Sequence, residues 1–276
     1  MNEQAIAIFC ICDEVVKYFG LKDDPQCKMT TSELMTFAWL SATNFQCNYK
    51  KTRLISLTFK FFNKTLSLSR MTRRIHLIPE EVWMIVFYVL QMYLKIPNAE
   101  YFIVDSFPVR AYENHKSFRA KIFKGKSYHG YTASKKAYFF GLKVHMIIDE
   151  HGLPIEFCIT PGSTADIEGL KLLPCELPRG VTLIGDRAYT NYSLEDDLLE
   201  MMEIFFQPKR KQNMKRQVSG AQEYLHASKR NKIETVFSVM VSKMPRSIKA
   251  RTEKGFLLKT VLFILAFLVE RYSPTS

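Results

Sequence analysis

The sequence lacks any apolar run long enough to cross a membrane. Its longest are Val82–Leu90, continuing to Leu94 across Gln91, and Thr260–Val269; both fall short of the ~20 residues a span needs. They read as buried helices. Zinc spacing is missing as well: Cys10, Cys12, Cys27, Cys47, Cys158 and Cys175 include no Cys-x-x-Cys pair and no Cys/His cluster. Most of these cysteines lie in apolar stretches of a long chain with no secretory signal before them, so reduced core thiols are expected rather than a disulfide scaffold. No Ser/His/Asp arrangement points to a nucleophilic enzyme, and there is no internal repeat or low-complexity tract. With 47% hydrophobic and 24% charged residues, disorder is excluded. The expected compartment is the cytoplasm.

Acid is also scarce where base is dense. The net charge of +12 is carried by three runs: residues 50–76 hold eight Lys/Arg and no acid, 110–145 hold nine against Glu113 alone, and 207–232 hold eight against Glu223 alone. A single basic run is often just a solvated face. Three such runs favour a surface that tracks phosphates, with nucleic acid the first partner and an acidic membrane surface the second.

What is there divides in two. Residues 1–97 read as an all-α region, with helices over Ala5–Phe19, Glu33 to about Asn44 (capped by Thr31 or Ser32), Arg53–Phe62, a short helix after Leu66-Ser67-Leu68, and Glu80–Lys95. The short helix exposes Arg70, Arg73 and Arg74, which suits the recognition helix of a helix-turn-helix in a DNA major groove. Residues 98–276 change period. Strands are expected at Tyr101–Asp105, Ala137–Ile148, Pro154–Thr160, Val181–Asp186 and Glu203–Gln207, with helices at Asp166–Leu173, Ser193–Met202, Ser228–Met244 and Gly255–Arg271. This order is that of a ribonuclease H-like mixed five-stranded sheet with flanking helices, in which the first and fourth strands are parallel neighbours.

Three of the 27 acids stand out. Asp105 and Asp186 each close an apolar strand, at the edge where open α/β sheets place ligands. A carboxylate there is costly unless a cation or hydrogen bonds satisfy it, and two on adjacent strands would repel unless a divalent ion lay between them. Glu234 borders the apolar stripe of Ile233, Val236, Phe237, Met240, Val241 and Met244, with Arg230 one turn earlier on the same row. Hard oxygen ligands imply two Mg²⁺ ions, which Mn²⁺ can replace, clamping an in-line phosphoryl displacement. Asp149 is explained by the hairpin turn at Gly152, and His129 and His145 lack ligand spacing. Basic residues near these acids, Arg187, Lys229 and Arg230, and the run Lys209, Arg210 and Lys211 are expected to contact DNA.

Four stretches resemble bacterial insertion-sequence DDE transposases: Val104-Asp105-Ser106-Phe107-Pro108-Val109, Phe140-Gly141-Leu142-Lys143-Val144-His145, Gly185-Asp186-Arg187-Ala188-Tyr189 and Arg230-x-x-Ile233-Glu234-x-x-Phe237. With Met29-Thr30-Thr31-Ser32-Glu33 and Leu66-Ser67-x-Ser69-Arg70-x-x-Arg73-Arg74, the chain is most similar to the insertion sequence 982 group. The resemblance implies that Asp105, Asp186 and Glu234 are the catalytic triad and that element ends are cleaved and joined to target DNA. It also implies double-stranded terminal inverted repeats as partners, a homodimer on DNA, and nucleoid association when bound. Two turns after Glu234, where relatives often carry a basic residue, stands Val241, with Lys243 the nearest candidate. Three other readings stay open: a ribonuclease H-like nuclease that does not join strands, a non-catalytic DNA-binding remnant, and a membrane-surface protein.

Overall fold

The computed structural model describes residues 2–94, 99–132, 136–210, 213–217, 219–245 and 248–272. The chain forms two compact units, one of residues 1–96 with 243–276 and the other of residues 97–242.

The first unit is helical: α1 (Asn2–Tyr18), α2 (Thr31–Phe45), α3 (Tyr49–Thr58), α4 (Leu68–Leu77), α5 (Glu80–Tyr93) and, from the far end of the chain, α9 (Glu253–Tyr272). The C-terminal helix, expected to flank the sheet, is instead part of this unit and packs on α2 and α5. That placement explains its composition: Leu262–Val269 is buried along its whole length, and an all-round apolar helix needs neighbours on every side. The cap of α2 falls on Thr30, one residue before Thr31 and two before Ser32, the expected caps. The Thr30 hydroxyl accepts from Glu33 N (3.1 Å), and Glu33 returns a bond from Thr30 N (2.8 Å). Thr31 and Ser32 are taken by other carboxylates, Asp23 and Asp13. α4 is strongly amphipathic, and its apolar residues Met71 and Ile75 are buried within the unit. The α3–α4 connection, residues 59–67, is longer than the 3–4-residue turn of a helix-turn-helix.

The second unit is a mixed α/β layer with, among the described residues, six strands rather than five: β1 (Tyr101–Tyr112), β2 (His129–Thr132), β3 (Ala137–Asp149), β4 (Pro154–Pro161), β5 (Thr182–Gly185) and β6 (Phe205–Pro208). The order is β2-β3-β1-β5-β6, and β4 also pairs with β3. β1 is antiparallel to β3 and parallel to β5, which is parallel to β6. The strand absent from the sequence reading, β2, is four residues long and holds Gly130, too short and glycine-rich to show a period. α6 (Asp166–Leu170), α7 (Tyr192–Met202) and α8 (Gly220–Lys243) flank the sheet.

β1 also runs seven residues past Asp105, so this acid lies within a strand, not at its end. The ladder to β5 stops at Ile103↔Ile184, while pairing with β3 continues to Tyr112↔Phe140. Beyond Ile103 the β5 side of β1 is therefore an edge, where Pro108 is tolerated. At the bulge between Arg110 and Tyr112 the backbones of β1 and β3 come so close that a Cβ on Gly141 would sit 2.3 Å from Val109 O. Alternation sends Phe102 and Val104 into a core with Ile147, Leu170, Leu173, Leu183, Leu198 and Phe206. Ile103, Asp105 and Phe107 face the other way, where Phe237 of α8 meets the Phe107 ring at 4.6 Å. Among the described residues no single helix is long and apolar enough to cross a membrane.

Candidate active site

Asp105 and Asp186 stand two residues beyond the last β1–β5 pair, where the two parallel strands part. Local backbone aims each carboxylate. Ser106 N donates to Asp105 Oδ1 (2.8 Å), and Arg187 N donates to Asp186 Oδ1 (2.7 Å) as Asp186 caps a single 3-10 turn, Arg187–Tyr189. From α8, Arg230 reaches both: Nη2 is 3.4 Å from Asp105 Oδ2 and Nη1 is 3.3 Å from Asp186 Oδ1. These contacts are long beside the ~2.7–2.9 Å of a well-made charge-assisted bond. Burial pushes the Asp105 carboxyl up to about 6; Asp186 and Asp166 add to this, while the Ser106 amide and Arg230 oppose it. Burial thus outweighs what the Ser106 amide and one distant guanidinium offset. The pair's donors are hard oxygens at a partly open position, a set that fits Mg²⁺ or Mn²⁺.

Glu234 is not gathered with them. Among the described residues no three Asp, Glu, His or Cys side chains form a group that could hold a metal ion, and Glu234 is exposed. The physical reason lies in α8. Its buried stripe is Ile233, Val236, Phe237 and Met240; Glu234 sits off that stripe, while the long Arg230 side chain, one turn back on the same row, fills the approach to the aspartates.

Behind Asp105, on the opposite face of β1, lies a polar network with little sequence signal. Ser106 Oγ donates to Asp166 Oδ1 (2.6 Å), which also pairs with the Lys143 ammonium (3.2 Å); Lys143 in turn donates to Thr164 O (2.8 Å). His145 is fully buried, with Nε2 2.9 Å from Thr160 Oγ1, and burial holds it down at about 4. Gly169 permits this: a Cβ there would lie 2.2 Å from His145 Nδ1, so only glycine lets α6 rest on the imidazole. The Tyr189 phenol, also buried here, is pushed well above its usual range by burial first and then by Asp105 and Asp166. Ser106, Lys143 and His145 all belong to motifs quoted above; Asp166 had only its position at a helix start to mark it.

The basic residues separate by environment. Arg187, Arg70 and Arg73 are exposed, Lys209 is half-buried, and the Lys229 ammonium lies 3.8 Å from the centre of the Tyr101 ring. Two of the residues expected to contact DNA are engaged within the protein. Arg210 is buried and donates to both oxygens of Glu195, one at 2.8 Å, because a buried guanidinium requires a partner of opposite charge. Arg74 is held by Asp23 (2.8 Å) and the Met29 carbonyl, which ties α4 to the α1–α2 loop. Lys211 lies outside the described residues. All six cysteines are free thiols; Cys12, Cys47 and Cys175 are buried as expected of core residues, whereas Cys27 and Cys158 are half-buried and Cys10 is exposed.

A mixed sheet that brings two aspartates together between parallel strands, beneath a basic helix, defines a class of α/β protein suited to phosphate chemistry. The transposase DDE domain matches residues 97–248, rather more than half of the chain and nearly coincident with the sheet unit. The chain belongs to the transposase DDE domain family. No curated protein matches it. Membership makes DNA the expected partner and DNA transposition the expected activity.

Proposed function

We propose that the chain is a DNA transposase that cuts at the ends of an insertion element and joins them to target DNA, with Asp105, Asp186 and Glu234 as ligands of two divalent cations. The pairing of Asp105 with Asp186 under Arg230 carries the reading, in a chain of the transposase DDE domain family. Glu234 enters as the third ligand because it shares with Arg230 the row of α8 that reaches the pair. The strand order, with β1 and β5 parallel at the centre, supports a ribonuclease H-like core. The motif resemblance supports the insertion sequence 982 group.

When bound, Mg²⁺ or Mn²⁺ would polarise the scissile phosphate and neutralise charge on the attacking and leaving oxygens. The chain's own residues do the placing. The Ser106 and Arg187 amides orient the two aspartates, and the Asp166 network fixes the far face of β1. Arg187, Lys209, Lys229 and Arg230 line the approach with positive charge for phosphates, while Arg70 and Arg73 of α4 hold the terminal inverted repeats. A homodimer bridging two ends completes the proposal.

The test is incubation of the protein with Mg²⁺ and a plasmid carrying the DNA that flanks its gene, with Asp105→Ala beside the native chain. Native protein is expected to yield cleaved ends and joined products, and the variant neither. Equal products from both would overturn the mechanism, and cleavage without joining would make the chain a nuclease. Independently of activity, Mn²⁺ should raise the melting temperature of the native protein and leave that of Asp105→Asn unchanged.

A further inference from the structure

The connection from β1 to β2, residues 113–128, frames a cleft of about 420 Å³. Its lining combines rings with cations: Phe118, Phe123 and Phe140 beside Lys124, Lys126 and His129. The rings are placed for different tasks. Phe123 is buried and braced by Tyr128 at 5.0 Å, and Phe140 is buried with the His129 ring edge-on at 4.9 Å. Phe118 is 78% exposed, an unusual position for so large an apolar ring, with the Arg119 guanidinium 5.2 Å from its centre. Lys124 and Lys126 are exposed at the cleft. Across residues 113–128 five Lys/Arg face a single acid, Glu113, which pairs with His115.

The sheet gives this cleft a direction. On β3, Phe140, Leu142, Val144 and Met146 alternate onto one face, and Met146 is the partner of Asp105. Phe140 therefore lies on the same side of the sheet as Asp105, six residues along β3 from Met146, the partner of Asp105, which at ~3.4 Å per residue is about 20 Å away. That is roughly six base pairs of duplex DNA. An aliphatic ligand would leave the lysines without a partner, and a bare anion would not use the rings. A nucleotide uses both, through base–aromatic stacking and phosphate–ammonium contact. The volume falls in the range of small-ligand pockets.

We propose that this cleft receives one unstacked nucleotide of a DNA strand, its base against Phe118 and its phosphate between Lys124 and Lys126. The inference rests on the transposase reading for its ligand. Its test is fluorescence anisotropy of the full chain with labelled single-stranded dT15 and with a 15-base-pair duplex. Both probes are also run against Phe118→Ala and the double variant Lys124→Ala/Lys126→Ala, and free thymidine monophosphate serves as competitor. Because Phe118, Lys124 and Lys126 are all exposed, the variants should keep the native melting curve.

Phe118→Ala is expected to weaken dT15 binding roughly tenfold, the scale of one lost stack, and to leave duplex binding within about twofold. The lysine variant should weaken dT15 and flatten its salt dependence. Unchanged dT15 affinity in both variants would overturn the proposal while leaving the transposase reading intact. Equal losses on dT15 and duplex would overturn it too, by reducing the cleft to a general phosphate surface. Competition by the free mononucleotide at dT15-like concentrations would overturn the assignment to a DNA strand. A native chain that binds neither probe would remove the transposase reading itself, and this proposal with it.

Discussion

The acids of the sheet unit are held in two contrasting ways. Asp105 and Asp186 share one guanidinium at 3.4 and 3.3 Å, whereas Asp166 takes a hydroxyl at 2.6 Å and Glu195 takes buried Arg210 in a two-pronged pair. The difference separates acids that hold the fold together from acids that the fold holds ready. Glu195 and Asp166 are satisfied by groups built into the protein. Asp105 is half-buried without adequate compensation, and its carboxyl rises to about 6 as a result. On the proposed function, the cation that would meet this group is a divalent metal ion.

The largest expected effect tests the satisfied side. Arg210→Met leaves Glu195 buried with, among the described residues, the more distant Arg216 (3.5 Å) as its cation, and breaking a buried pair of this kind costs about 3–5 kcal/mol. Denaturant melts should show that loss, and Mn²⁺ should still raise the melting temperature of whatever fraction stays folded. A change below about 1 kcal/mol would mean that Glu195 does not depend on Arg210.

The unsatisfied side should respond in the opposite direction. Asp105→Asn removes a charge the fold disfavours, so the variant is expected to be more stable than the native chain at pH 7 in the absence of divalent cations. With a carboxyl raised from 3.8 to about 6, the ceiling is ~3 kcal/mol. The sign follows from linkage: the folded state resists ionisation, so the native chain is free of penalty below about pH 4 and loses stability as pH rises from 4 to 6. Above that the penalty is constant. Native and variant curves should therefore converge in acid and separate through that window. A variant less stable at pH 7 would remove the contrast between the two kinds of acid.

His145 supplies a check in acid. Its imidazole is held neutral, at about 4 against a usual 6.5, so this group's contribution is complete above pH 6.5 and is lost as pH falls through 4. His145→Gln should reduce the native protein's loss of stability between pH 6.5 and 4, by at most ~3 kcal/mol. An unaltered acid limb would show that this ring does not set it.

Much of this arrangement is legible in the sequence, and the illegible parts share a cause. Apolar runs ending in Asp105 and Asp186 mark neighbouring strands because burial on both faces demands continuous hydrophobicity. The same signal misplaces the end of β1, since Ser106, Pro108 and Arg110 interrupt the run while the backbone continues along β3. Short β2 has no period to read. The assignment of α9 to the helical unit depends on which partner its apolar surface finds, and composition does not name the partner. Arg74 and Arg210 fail for a related reason: a basic residue in a basic run is indistinguishable, in sequence, from one that a distant acid has claimed. Asp23 lies 51 positions from Arg74 and Glu195 lies 15 from Arg210. Glu234 shows the limit from the other side, for its helix row is readable but the competing reach of Arg230 is not.

The smallest expected effects fall in the helical unit, where the same distinction applies to bases. On α4, Arg70 and Arg73 are exposed, while Arg74 is committed to Asp23. If α4 lies on DNA, Arg70→Ala and Arg73→Ala should each lower the slope of log affinity against log salt by about one, the signature of one lost phosphate contact. Neither should move the melting temperature. Arg74→Ala should do the reverse, costing about 1 kcal/mol through the partly exposed Asp23 pair and leaving the salt slope unchanged. Measured on one duplex across 50–200 mM salt, the three single variants divide cleanly. Slopes that fall equally for all three would place Arg74 on DNA after all, and slopes that fall for none would leave α4 a surface helix whose charge serves only solubility.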